Sequence, residues 1–438
     1  MPRANITHGR LVLFCFILFI SNSVIADGVL RDGFGTRSMG LGGASLVFPD
    51  NALSAMNANP AALANWQNNQ WEIGGVAGSV DGEFDNAISS GNKVDSAPGF
   101  YPDVAYVRSI NSRWTLGLSI NPVSAVETNW NFADPPGVLG GYGKQDHYSS
   151  FLALRSAVGL GFQANPQWSF GASVGLIYNR NRLKAPYIFQ SHPLLGPAGI
   201  GGANVLVNLE ADGFGVNGVF STNYQPTDNL TLSLGYTTPT HFNANGTLRG
   251  NGNVVGPFSY DAEVKTELPQ VVSGGFNWKA NDKLQLGIQL DWVDWASAFD
   301  KLPIHLTNGS NVTLNGIVGS TRLDDTAPLN WSDEVVLRLG IRYDWSDRLQ
   351  LRAGYSYGNN PVAAQFMTPT TAAITEHLIS FGAGYHLDNY LVNIAYQWEL
   401  PNKVSVANSQ LASVEYDNTR TDISIHWISL SVEFDSPF

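Results

Sequence analysis

Residues 335–357 read Val335-Val336-Leu337-Arg338-Leu339-Gly340-Ile341-Arg342-Tyr343-Asp344-Trp345-Ser346-Asp347-Arg348-Leu349-Gln350-Leu351-Arg352-Ala353-Gly354-Tyr355-Ser356-Tyr357. On both sides of Asp344–Asp347, bulky apolar residues alternate with small or polar ones. Successive side chains of a strand point to opposite faces, so this is a hairpin with one apolar face and one carrying Arg338, Arg342 and Arg352. The pattern recurs. Six short polar turns punctuate the chain: Asn111-Ser112, Asn165-Pro166-Gln167, Gln225 to Asp228, Lys279 to Asp282, Asp344 to Asp347 and His386 to Asn389. Each is flanked by aromatics: Trp114, Trp168, Tyr224, Trp278, Tyr343 with Trp345, and Tyr385 with Tyr390. Tight turns and an aromatic row at one end, with long loops at the other, describe a transmembrane β-barrel of the outer-membrane type. A soluble sandwich would bury its aromatics in a core and has no reason to line them up beside turns.

Alternating runs predict strands at 70–79, 103–110, 113–128, 147–163, 167–184, 207–225, 228–241, 259–279, 282–297, 333–345, 347–358, 376–387, 390–404 and 421–438. Fourteen antiparallel strands joined by six turns leave seven long loops, with both termini on the turn side, as a closed barrel requires. Only 14% of residues are charged, Gly is abundant (45), and mean hydropathy is close to zero (−0.07). Apolar outward and polar inward positions average to that value. The final strand alternates Ile428, Leu430, Val432 and Phe434 with polar residues and ends at Phe438. Such an end resembles the signal read by the barrel assembly machinery, and Pro437 is tolerable at a strand terminus.

The amino terminus predicts a secretory signal over residues 1–26: Arg3 and Arg10, the apolar run Leu11 to Ile20, and Val24-Ile25-Ala26 before Asp27. The run is too short to span a bilayer, which takes about 20 residues. The only cysteine, Cys15, lies inside it, so the mature chain is expected to contain no thiol. A formal charge of −12 gives no support to nucleic-acid binding. Loop acids such as Asp324-Asp325 and Asp333-Glu334 are read first as solvated, and second as sites for divalent ions between protein and lipopolysaccharide. The expected location is the bacterial outer membrane, with its lipid as a partner.

Residues 27–69 do not alternate. Phe34, Met39, Leu41 and Phe48 are mixed with small residues, and Asp50 is placed to cap a short helix that Asn59-Pro60-Ala61 would end. A fourteen-strand lumen leaves a channel unless filled. This segment is therefore expected to fold inward as a partly helical plug, with residues 70–438 as the barrel.

Gly33-Phe34-Gly35, Met39-Gly40-Leu41-Gly42-Gly43-Ala44 and Asn59-Pro60-Ala61, just after a signal segment, resemble the hatch of the FadL/TodX family. That family comprises outer-membrane transporters of long-chain fatty acids and other hydrophobic compounds. Leu268-Pro269, Trp292-Val293-Asp294-Trp295, Arg352-Ala353-Gly354-Tyr355 and Asn360-Pro361-Val362 extend the resemblance along the barrel. It implies hatch-gated diffusion of hydrophobic small molecules, most simply fatty acids, with lateral release at a kinked third strand. Gly117 and Asn121-Pro122 are candidates for that kink, because Pro122 has no N–H for the ladder. Alternatively, the strand simply ends at Ile120. Substrate-contact candidates are Phe34, Met39, Leu41 and Phe48 in the hatch, and Phe189, Leu194 and Leu195 in an apolar loop that could equally pack on itself. Arg155, Arg338 and Arg352 face inward by parity and could hold a carboxylate, though arginines there more often pair with lumenal acids. Arg180 lies where the resemblance puts a basic group, but alternation turns it outward.

No enzyme is expected. Gly171-Ala172-Ser173-Val174-Gly175 matches a nucleophile-elbow pattern, but alternation runs straight through it. No nucleotide loop or metal-spaced histidine pair is present, so no cofactor is expected. Two alternatives remain at this level: a diffusion porin for polar solutes, and a barrel enzyme acting on lipids.

Overall fold

The computed structural model describes residues 29–95, 99–137, 140–199, 204–412 and 416–435. The signal segment, Cys15, Pro437 and Phe438 lie outside them. Fourteen antiparallel strands close into one barrel. The first six are Gln70–Asp85, Gly99–Ser109, Trp114–Ala133, Lys144–Gln163, Trp168–Ile188 and Asn204–Thr227. The seventh comprises Leu230–Thr237 and Thr240–Gly252, and the eighth Gly256–Leu268 and Val271–Lys279. The remainder are Leu284–Val293, Glu334–Asp344, Leu349–Gly358, His377–Leu387, Tyr390–Val406 and Thr419–Asp435. Closure is made by the first and last strands, paired from Gln70↔Asp435 to Asp85↔Arg420.

Alternation sorts the side chains as expected. Leu118, Ile120, Val158, Leu160, Val174, Leu176, Phe214 and Val216 are exposed on the outer face, while Arg155, Ser173 and Asn179 are buried inside. The outer face suits hydrocarbon, where every backbone group must find its partner within the wall. Trp114 stacks against Phe162 and Trp168 against Tyr224 beside the short turns, at centroid distances of 4.5 Å in both pairs.

Several strands run longer than expected, the first to Asp85 and the seventh to Gly252, and one is shorter. The ninth strand stops at Val293, because Asp294 accepts a hydrogen bond from Ser297 N and caps a helical turn, Trp295–Ala298. The long connection after it holds a hairpin, Lys301–Thr307 with Leu323–Pro328, and a helix, Val312–Val318. That hairpin pairs with the upper eighth strand from Asp261↔Thr307 to Val264↔Ile304, so the sheet there widens above the lipid-facing band.

The segment from residue 29 to 69 lies within the barrel. It forms two short helices, Thr36–Met39 and Ala52–Asn57, and a 3-10 helix, Pro60–Asn65. Leu41, Leu46, Leu53, Met56 and Leu63 are all fully buried. Glycines on the wall make room for it: a Cβ on Gly171 would meet the Pro60 carbonyl carbon at 2.0 Å, and one on Gly354 would meet Gly42 N at 1.9 Å.

Candidate functional site

The inner segment is held by charged and amide side chains on strands from both halves of the barrel. Asn59 is saturated: its Nδ2 donates to Leu46 O at 2.7 Å and Asn223 Oδ1 at 2.8 Å, and its Oδ1 accepts from Ser221 Oγ at 2.9 Å. Ala61 N donates to the same Ser221 Oγ, so Asn59-Pro60-Ala61 docks on the sixth strand. Asn59 also fixes the amino end of the Pro60–Asn65 turn, where proline at the first position suits helical φ. The preceding helix ends at Asn57, whose amide donates to Asn121 Oδ1 of the third strand at 2.9 Å.

Asp50 is no helix cap. Asn51 occupies that position, and the free N–H of Leu53 is met by the Glu72 carboxylate at 3.0 Å, which also accepts from Asn51. Asp50 instead joins Arg37 and accepts from Arg342 at 2.8 Å. Burial opposes its ionisation, but Arg37 and Arg342 outweigh that and hold its carboxyl below the usual range. Arg37 also reaches Glu433 on the last strand at 3.2 Å. The segment thus straddles the seam where the barrel closes.

The third strand runs on to Ala133 rather than ending at Ile120. Its ladder to the second strand stops at Val104↔Ile120, and a bulge at Val123 interrupts pairing with the fourth strand. Beyond the bulge the faces exchange: Leu118 and Ile120 point outward, whereas Val126 and Thr128 line the interior. The break begins at Asn121-Pro122. Gly117 is not part of it; it is normally paired with Val107, and its missing side chain makes room for the Met56 sulfur. Residues 29–31 of the inner segment, an irregular stretch, occupy the break. Arg31 N donates to Val123 O at 3.1 Å, Ser124 Oγ donates to Val29 O, and Arg31 clasps Asp103 at 2.7 and 2.6 Å.

Two cavities flank this stretch. The upper, of about 250 Å³, is walled by Val29, Phe299, Leu302, Trp331, Phe366 and Ile425. The lower, of about 120 Å³, is bounded by Leu30, Phe34, Arg155, Thr238, Pro269 and Arg338. A further space of about 10 Å³ lies at the third-strand break beside Met39, Pro122 and Trp427.

The other candidates distribute unevenly. Leu41 and Phe48 pack with Ala44 and Val47 against the wall and line neither cavity. Phe189 and Leu195 are buried in a separate cluster with Val207, Leu248, Phe258 and Leu306, and Leu194 is exposed. That loop therefore packs over the extended sixth to eighth strands, leaving Tyr187 and Gln190 on the upper cavity. Arg180 faces outward, opposite Leu152 and Asp212. Arg338 is paired with Asp291 at 2.8 Å and with Asp32, and Arg352 bonds Gln350 and Asn393. Arg155 differs: Asn217, Met56 O, Asn57 and Ser173, its four hydrogen-bond partners, are all neutral. Ser173 spends its hydroxyl on Met56 O at 2.8 Å, which gives it a supporting role. The wall acids Glu72, Asp103 and Glu433 escaped the sequence reading. Their signal was charge at inward parity in a charge-poor chain.

Residues 17–438 match the family model described as "Outer membrane protein transport protein (OMPP1/FadL/TodX)". No curated protein sequence matches. Among solved structures, the chain is similar to the Pseudomonas putida toluene transporter TodX, at 21% identity and a TM-score of 0.73, covering 92% of this chain and 99% of that one. It is similar to a Pseudomonas aeruginosa FadL homologue at 18% identity and a TM-score of 0.72, covering 93% and 99%. The Ralstonia pickettii toluene transporter TbuX gives 18% and 0.72, over 92% and 99%.

Proposed function

We propose, from the premise that this chain belongs to the OMPP1/FadL/TodX family of outer membrane transport proteins, that it carries long-chain fatty acids into the outer membrane. Cargo enters the apolar upper cavity, passes the segment Val29–Arg31, and leaves sideways through the break above Ile120. The inner segment acts as the hatch. No energy source enters the scheme: cargo moves down its gradient while the hatch shifts.

The observation that carries the fatty-acid reading is Arg155. A guanidinium that lines the lower cavity with only neutral partners is complemented by a carboxylate head group. Lateral release suits a cargo that water does not dissolve, and the ladder break filled by Val29–Arg31 supports that reading. An aromatic hydrocarbon is the second reading, favoured by the likeness to the structures of two toluene transporters. It has no use for Arg155.

The test compares uptake of radiolabelled palmitate and toluene by cells lacking their own transporter, with the wild type and with Arg155→Gln. Saturable palmitate uptake that Arg155→Gln selectively lowers supports the fatty-acid reading. Toluene uptake that the substitution leaves unchanged, with no palmitate uptake, moves the cargo to hydrocarbons.

A further inference from the structure

The wall contains a second ladder break, between the sixth and seventh strands. Pairing runs from Leu206↔Asn251 to Asp212↔Asn245 and resumes only at Val219↔Thr237. Residues 213–218 on one strand and 238–244 on the other are left out of register. At the lower edge, Thr238 N donates to Gly218 O at 2.9 Å and Gly218 N to Thr238 Oγ1 at 3.0 Å. The seventh strand also changes face here: Leu232, Leu234 and Tyr236 point outward below, while Thr240, Phe242 and Ala244 are buried above. Thr238-Pro239 is thus built like Asn121-Pro122 on the third strand, with proline at the point where donation fails. The eighth strand breaks beside it at Pro269-Gln270.

This break lies at lipid depth, since Phe214 and Val216 within it are 61% exposed on the outer face. Unpaired backbone at that depth is tolerated only where it lines a cavity or is buried in protein. The lower cavity lies behind it, bounded by Asn217, Val219, Thr238, Thr240, Leu268 and Pro269. One side chain closes the opening. Phe242 is 1% exposed and its ring lies over Gly215, where a Cβ would meet Phe242 Cε1 at 2.8 Å and Thr240 Cγ2 at 2.6 Å.

We infer that the sixth and seventh strands form a second lateral portal, gated by Phe242, through which apolar cargo passes between the lower cavity and the outer leaflet. The inference rests on the lateral-release reading. Rotation of one ring and separation of two segments joined only through Gly218 and Thr238 open it, whereas the third-strand route requires full withdrawal of Val29–Arg31 from the wall. Cargo that has passed Val29–Arg31 into the lower cavity and has no head group for Arg155 can leave by the second portal.

The only cysteine, Cys15, lies in the segment expected to be removed, so introduced pairs meet no native thiol. Gly215→Cys with Thr240→Cys puts two sulfurs within disulfide reach and stitches the portal shut. Val29→Cys with Ser124→Cys, at the point where Ser124 Oγ bonds the Val29 carbonyl, is the matching stitch across the third-strand break. Uptake of radiolabelled toluene is measured for each variant oxidised and after reduction, so each protein is its own folding control. The expected result is a loss of uptake when the 215–240 bridge is oxidised, restored by reduction, whether or not the 29–124 bridge also slows uptake. Unchanged uptake with the 215–240 bridge closed, and loss with the 29–124 bridge closed, overturns the second portal and leaves lateral release intact. Insensitivity to both bridges overturns the lateral reading and the portal with it.

Discussion

Asn59→Ala is the sharpest perturbation of the hatch. The side chain is fully buried and makes three hydrogen bonds, to Leu46 O, Asn223 and Ser221. Asn223 keeps Ser233 as a donor, but the Leu46 carbonyl loses its donor and the Ser221 hydroxyl its acceptor. Three bonds at about 1 kcal/mol each put the loss at about 3 kcal/mol, and the two orphaned groups can only add to it. If they are broken when the hatch leaves the wall, its opening equilibrium rises by roughly a hundredfold. Hydrogen exchange of Ala61 and Ala62 in detergent-purified protein reads that change, and heat-modifiable gel migration checks that the barrel has closed. Protection that is unchanged around residues 57–65 in a closed barrel would refute the reasoning, because Asn59 would then not hold the hatch.

Two further outcomes follow from the wall contacts. The pairs of Asp50 with Arg37 and Arg342 lower its pKa relative to the unfolded chain, so their contribution is present above about pH 4 and lost as pH falls through the lower folded value. Hydrogen exchange around residues 36–50, corrected for intrinsic rates, should therefore rise in acid, and Asp50→Asn should remove that component; an identical acid profile in the variant rules it out. Gly171→Val places a side chain against the Pro60 backbone, which cannot swing aside, and overpacking of about 1–3 kcal/mol should loosen the hatch. Gly274→Ala, whose nearest neighbour is a Leu234 methyl at 3.8 Å, should leave exchange at Ala61 as in the wild type.

The strands were legible because their side chains face two different solvents, and a period of two records that along Leu349–Gly358 as plainly as along Leu284–Val293. The strand-three irregularity was legible through proline, which announces a missing donor. The same signal stood at Thr238-Pro239 and Leu268-Pro269, yet alternation above and below each is clean, and the change of face is visible only once registers are known. Contacts within the hatch were hidden for another reason. Asp50 could serve Leu53 N or Arg37, and the choice depends on Glu72 arriving from the first strand. The apolar loop around Phe189 stayed open between a binding surface and self-packing because the partner that covers it, the sheet extended by the 301–328 hairpin, has no signature in the loop itself.

The seam has a consequence for biogenesis. Thr36 meets Ser429, Arg37 meets Glu433, and Asn51 and Leu53 meet Glu72, so one short stretch touches both the first strand and the last. Those two strands are the most distant in sequence and the costliest to bring together, since loop-closure entropy grows with the chain between them. A segment that is synthesised first and binds both edges lowers that cost. Variants that weaken its grip on Glu72 or Glu433 should therefore slow closure of the barrel before they alter passage.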